Sequence, residues 1–277
     1  MSTFKILCPT DFSECSLNAL EYAAKLGEKY KAELILFHVP SMEDYKKLFQ
    51  QPKSGALDFV QQKMNNLVDE VLFESKDKGL RKCVAVLEEG ETVKTIVDYA
   101  KNHKVDLIVM GTEGVNDIKT NFIGTKSSNV IELAETDVLM VPRKVFFKPP
   151  RKFVYASDYL EEDKLAVQKV VEMAGFYDSE IDIVHVGTRM KAIDKALHQT
   201  MVEEIKPFIR YEKTSYVLKT FRDEVGLGLE NYLLTAKGDI LVTLSKKKTW
   251  FDQLFTKNLS KKMSYFINKP LWVIKRV

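Results

Sequence analysis

The chain has 277 residues, 45% apolar and 29% charged, with 42 basic against 39 acidic side chains. That is apolar material for two cores of ordinary size, and a net charge of +3 is too balanced to argue for nucleic acid as a partner. No run reaches the roughly 18 apolar residues of a membrane span, and the start, MSTFKILCPTDF, enters a strand with no apolar leader region.

In chain order, residues 4–8 read as a buried strand. The turn CPTDFS follows, with Pro9 to start it and Asp11 at the C-terminal edge of the strand. A carboxylate there can accept from a ribose hydroxyl, help hold Mg²⁺, or cap the helix that begins near Ser13. A helical pattern covers 14–29, and a second apolar strand covers 33–39. Val39 ends that strand, where its backbone could meet a base edge or simply close the strand. Further helices are expected over 57–78, 91–103 and 125–135, and strands over 82–88, 105–110 and 137–141, with QQPKSG (50–55) as a loop. Glu88, Glu89 and Glu91 around Gly90 read as a solvated turn. Near-continuous apolar strands alternating with helices predict a parallel sheet covered on both faces, hence a doubly wound α/β domain.

The stretch GTEGVNDIKTNFIGTKSSNVI carries Gly111, Gly114 and Gly124 and then Thr125, Ser127 and Ser128. Gly111 ends the fourth strand, the edge at which doubly wound sheets bind ligands. Glycine there permits close approach of a ligand or a positive φ. Gly124-Thr125 opens a helix, whose free N–H groups and dipole suit a phosphate, or else is an ordinary helix start. Lys119, on the loop between them, reads as solvated.

The whole pattern then recurs. Lys5 to Val39 aligns without a gap over 35 residues with Lys152 to Val186, pairing Asp11 with Asp158 and His38 with His185. VDLIVMG and ETDVLMVPR align with GDILVTL and NKPLWVIKR at an offset of 133 in place of 147, so the second copy is shorter between its second and fourth strands. The chain reads as two tandem domains, 1–146 and 151–277, joined through RKVFFKPPRK.

CPTDFSECSLNALEYA, ILFHV, DLIVMGTEGVNDIKTNFIGTKSSNVI and TDVLMVPR together resemble the universal stress protein family. The family's nucleotide pattern is Gly, two residues, Gly, nine residues, Gly, then Ser or Thr, and Gly111, Gly114, Gly124 and Thr125 match it. The resemblance implies two Rossmann-like domains of strand order 3-2-1-4-5. It implies an ATP site in the first, built from Pro9, Thr10, Asp11, Val39, Met110, Gly111, Gly114, Gly124, Thr125, Ser127 and Ser128. Asp11 would face the ribose or adenine, the Val39 backbone the adenine, and Met110 and Gly111 the ribose. The phosphates would fall to Gly114, Gly124, Thr125 and Ser127, with Mg²⁺ entering only with them. Lys126 departs from the family, which has a small apolar residue there. In the second copy the four motif positions become Leu244, Lys247, Lys257 and Asn258, so that copy is expected to be degenerate.

No Ser-His-Asp, Cys-His or Walker pattern is readable, so no catalytic residue is assigned. The function expected is an ATP-binding stress-response protein that acts through binding, with slow hydrolysis at most. The alternatives are a slow Mg-dependent ATPase using Asp11 and an interaction module with a vestigial site. The partners expected are an adenine nucleotide and the chain's own second domain, paired through the last strands VLMVP and LWVIK, with a further homodimer left open. Cys8, Cys15 and Cys83 have no metal-like spacing and read as free, buried thiols of a cytoplasmic protein.

Overall fold

The computed structural model describes residues 3–40, 53–112, 125–158, 161–187, 192–221, 225–245 and 269–276. The chain divides into two compact units between Phe147 and Lys148. In the first, β1 (Lys5–Pro9), β2 (Glu33–His38), β3 (Lys82–Leu87), β4 (Leu107–Thr112) and β5 (Asp137–Pro142) alternate with α1 (Glu14–Tyr30), α2 (Lys53–Glu74), α3 (Thr92–Asn102) and α4 (Thr125–Leu133). The strands are parallel in the order β3-β2-β1-β4-β5. The second unit holds β6 (Lys152–Ala156), α5 (Asp163–Tyr177), β7 (Glu180–Gly187), α6 (Ala192–Ile205), β8 (Thr214–Thr220), α7 (Val225–Thr235), β9 (Ile240–Ser245) and β10 (Leu271–Lys275). Its order, β8-β7-β6-β9-β10, is again third, second, first, fourth, fifth.

The central strands are buried on both faces, which is why they read as unbroken apolar runs. Ile6, Leu7 and Cys8 of β1 and Ile108 and Val109 of β4 are fully buried. Each aliphatic side chain so buried stabilises the fold by about 1.5–3 kcal/mol. On α1, Ala19, Ala23 and Leu26 fall at helical spacing and are buried against the sheet. Ser13 caps its start by accepting from the Ser16 N–H. Lys31 ends it in the left-handed region at φ 50°, with its N–H donating to the Gly27 carbonyl.

The repeat is reproduced bond for bond. The Ala32 N–H donates to the Gly27 carbonyl at 2.9 Å, and the Ser179 N–H to that of Ala174 at 3.0 Å. The backbone N–H of Lys5 donates to Asp106 Oδ2 at 2.8 Å, and that of Lys152 to Asp239 Oδ2 at 3.2 Å. Left-handed residues recur at Lys31 and Asp178 and at Lys104 and Lys237. Identical local strain at matched positions is what two copies of one unit would retain.

Three boundaries differ from expectation. The helix expected over 57–78 runs Lys53–Glu74. It absorbs Lys53–Gly55 of the expected loop and stops short, because Asp77 (φ 62°) and Gly79 (φ 110°) leave the helical region. The fourth strand begins at Leu107, not Val105, because the Val105 N–H closes the α3 terminus by donating to the Ala100 carbonyl at 2.9 Å. The shortening of the second copy is shared between a helix and the connection before it: α2 has 22 residues and α6 has 14, and α2 starts further beyond β2 than α6 does beyond β7. A 3₁₀ turn, Lys206–Phe208, follows α6 and contains Pro207, which cannot continue an α-helix.

Candidate functional site

In the first unit the C-terminal ends of β1, β2 and β4 surround a cavity of about 220 Å³. This is where the strand order reverses, between β1 and β4, the place at which a doubly wound sheet opens a crevice. β1 and its turn supply Pro9, Thr10 and Asp11; β2 supplies Phe37, His38 and Val39; β4 supplies Met110 and Gly111. Ser127 and Lys126 of α4 face it from one side and Thr92 and Ile96 of α3 from another.

The turn after β1 is fixed by its own side chains. The Thr10 N–H donates to the Phe37 carbonyl at 2.8 Å. The Thr10 carbonyl lies 2.7 Å from His38 Nδ1. A carbonyl only accepts, so Nδ1 carries the proton. Phe12 is held at φ 63°. Its N–H donates to Thr10 Oγ1 at 3.0 Å, its ring lies 4.7 Å from that of His38, and the Lys63 ammonium sits 4.3 Å over it. Thr10 Oγ1 and Ser16 Oγ, both buried, are 3.0 Å apart.

Asp11 lies exposed on the rim. Its Oδ1 accepts from the Ser13 N–H at 3.1 Å and the Ser13 hydroxyl at 2.6 Å. Ser13, not Asp11, is therefore the helix cap, and Asp11 orients the capping hydroxyl. Partial burial pushes the Asp11 pKa up, but the donors of Ser13 and Ser16 outweigh it and hold the carboxyl below the ordinary carboxylate value. Asp11 is thus an ionised acceptor, suited to hydroxyl or amine donors.

Gly111 does not adopt a positive φ. A Cβ at this position would stand 2.4 Å from the carbonyl oxygen of Cys15. Glycine lets the first turn of α1 lie directly on β4, a reason the spacing of the motif does not reveal. The Ser127 hydroxyl, itself buried, donates to the Gly111 carbonyl at 3.1 Å and fastens the first turn of α4 to the same strand. Ser128 follows on α4 but does not line the cavity. Thr125 is the first residue of α4. Gly114, Lys119 and Gly124 lie outside the described residues.

Other expectations sort as follows. Glu91, taken as part of a solvated turn, caps α3 by accepting from the N–H groups of Val93 (3.1 Å) and Lys94 (2.8 Å). Cys8, Cys15 and Cys83 are buried and joined in no disulfide. Burial, with Cys83 adding to it, pushes the Cys8 thiol far up, and burial pushes Cys83 up to about 12, so neither is a nucleophile. Phe37, His38, Thr92 and Ile96 line the cavity without having been singled out for it. His38 had a signal, its twin at His185; the α3 residues had only a helical apolar spacing. Among the described residues no group of three His, Cys, Asp or Glu could hold a metal ion, and no helix is long and apolar enough to cross a membrane.

Fold and cavity define a doubly wound α/β protein with a crevice at its switch point. Residues 3–142 match the model of the universal stress protein family, and the chain belongs to that family. Two universal stress proteins of Methanocaldococcus jannaschii are similar to its first half. One is 29% identical over 150 residues, covering 50% of this chain and 82% of the relative; the other is 30% identical over 154 residues, covering 50% and 95%. A universal stress protein structure from Archaeoglobus fulgidus matches over 100% of both chains with a TM-score of 0.76 at 18% identity, which bears on the fold.

Proposed function

We propose that the first domain binds one adenine nucleotide, ATP with its Mg²⁺, and that the protein acts through this bound state as a stress-response regulator. The observation that carries the reading is the convergence of Pro9, Thr10, Asp11, Val39, Met110, Gly111 and Ser127 on one cavity, although they come from four separate stretches of chain. The apolar walls from Phe37, Val39, Ile96 and Met110 suit a base, and the ionised Asp11 suits ribose hydroxyls. The start of α4 presents free N–H groups, as a phosphate requires. The volume, about 220 Å³, falls below the roughly 300–1,000 Å³ of small-molecule sites. The buried thiols accord with a reducing compartment, and we place the protein in the cytoplasm.

Calorimetric titration of the full chain with Mg-ATP is expected to give a stoichiometry near one. Two equivalent sites, or none, would overturn the reading. Asp11→Ala should weaken binding roughly tenfold or more, the loss of a charged acceptor being about 1.5–3 kcal/mol. ATP turnover well above background that disappears in Asp11→Ala would move the assignment to a hydrolase.

A further inference from the structure

The cavity has a charge polarity that the binding motif does not account for. At one end stands Asp11, ionised and turned toward its Ser13 donors. On the wall formed by α4 stands Lys126, exposed toward solvent yet lining the cavity. Among the described residues Lys126 makes no ion pair within 4 Å, whereas Arg143 is paired with Glu14 and Lys101 with Glu135. One acid that feels its charge is Glu91. Its carboxyl is held below the ordinary value first by the N–H groups of Lys94 and Val93 and further by the charge of Lys126. Glu91 already accepts two backbone N–H bonds as the cap of α3, so it is committed elsewhere and leaves the ammonium available. The geometry thus places an uncommitted cation on the wall where the first turn of α4 offers its own N–H groups.

We propose that Lys126 is a specificity-determining residue that contacts the anionic end of the ligand and sets a preference for multiply charged nucleotides over the neutral nucleoside. The inference rests on the nucleotide reading above and extends it. Asp11 fixes the uncharged, hydroxyl-bearing end of the ligand and Lys126 the phosphate end, so the ligand enters in one orientation. Glu91 leaves the ammonium unpaired, yet its negative charge lies within reach and partly offsets the attraction that an incoming phosphate meets. The site is thereby less attractive to singly charged ligands than to those carrying two or more negative charges.

The test is a set of calorimetric titrations of the intact chain with adenosine, AMP, ADP and Mg-ATP, for the wild type, Lys126→Met and Lys126→Glu. Lys126 is exposed, so neither variant should perturb the fold, which the urea midpoint checks. The expected result is unchanged adenosine affinity in both variants. ATP affinity should fall about tenfold in Lys126→Met and further in Lys126→Glu, with a weaker salt dependence than in the wild type because a screened contact has been removed. Glu91→Gln, which retains an oxygen for the cap, should tighten ATP a few-fold. ATP binding that is the same in wild type and Lys126→Met, or that falls equally for adenosine and ATP, overturns the role of Lys126 while leaving the nucleotide site standing. A wild-type protein that takes up neither adenosine nor ATP overturns the nucleotide reading and this inference with it.

Discussion

The turn after β1 and the turn after β6 began as the same structure, and they now do different things. In both, the residue after the strand donates its N–H to the neighbouring strand, Thr10 to Phe37 at 2.8 Å and Ser157 to Val184 at 2.9 Å. In both, a histidine Nδ1 closes the turn, His38 on the Thr10 carbonyl at 2.7 Å and His185 on that of Ser157 at 2.8 Å. The side chains diverge from there. Ser16 becomes Asp163 and Cys8 becomes Tyr155. The buried Asp163 accepts from the Tyr155 hydroxyl at 2.7 Å and the Ser157 hydroxyl at 2.6 Å. Gly111, with α1 pressed against it, becomes the buried Leu244. In the repeat frame α5 starts two residues later than α1. In the first copy the paired Thr10 and Ser16 still line a cavity; in the second, Asp163 gathers the hydroxyls of Tyr155 and Ser157 to itself. Backbone geometry is thus what the two copies share, and the same scaffold can leave its polar side chains facing a cavity or turn them on one another.

That contrast can be broken most forcefully at Asp163. Removing a buried carboxylate that accepts two hydroxyls should cost about 3 kcal/mol or more, since each bond to a charged partner is worth about 1.5–3 kcal/mol. Ser16→Ala in the first copy should cost only about 1 kcal/mol. Urea denaturation of Asp163→Ala and Ser16→Ala beside the wild type checks this, and equal costs would mean that the inward network adds nothing. The next largest effect is expected at Gly111. Gly111→Ala drives a Cβ into the Cys15 carbonyl and should cost about 1–3 kcal/mol by overpacking. It should lower the denaturation midpoint without changing the slope. A neutral Gly111→Ala would show that α1 can shift away from β4 at little cost.

The smallest effect is at the cap. Ser13→Ala should cost about 1 kcal/mol of helix capping and should raise the Asp11 pKa. The sign follows from the direction of the native shift. Asp11 is held below its unfolded value, so its contribution is complete above about pH 4 and is lost as pH falls through the folded pKa. The variant should therefore lose part of its dependence on acid. Carboxyl NMR titration of Asp11 reads this directly, and an Asp11 that titrates identically in both proteins would remove Ser13 from the account.

How much of this was legible beforehand depends on how local each cause is. Strand and helix order could be read, because apolar runs and helical spacing act within a segment. The offset between copies could be read too, since Asp11 and Asp158, and His38 and His185, keep their spacing in the chain. The start of α2 could not, because Lys53–Gly55 carry no propensity strong enough to announce a helix. Nor could the reason for Gly111, which is the carbonyl of Cys15 brought against it by folding. Asp11 was the plausible cap from composition, and only the direction of the Ser13 hydroxyl gives that role to Ser13. The cavity walls from Thr92 and Ile96 belong to the same class: their periodicity placed them on a helix, and tertiary packing decided what they faced.

All three cysteines of the chain, Cys8, Cys15 and Cys83, belong to the first unit and are buried there. A thiol must reach solvent and ionise before it can react. Alkylation of the native protein therefore reports openings of one half and is blind to the other. The chain carries its own kinetic clock for the first domain. Under conditions where reclosing outruns labelling, the modification rate measures the opening free energy of each strand or helix separately. Cys8 in the central strand should be the slowest to react. A bound nucleotide should slow labelling in proportion to its occupancy, with no engineered probe and no contribution from the second domain.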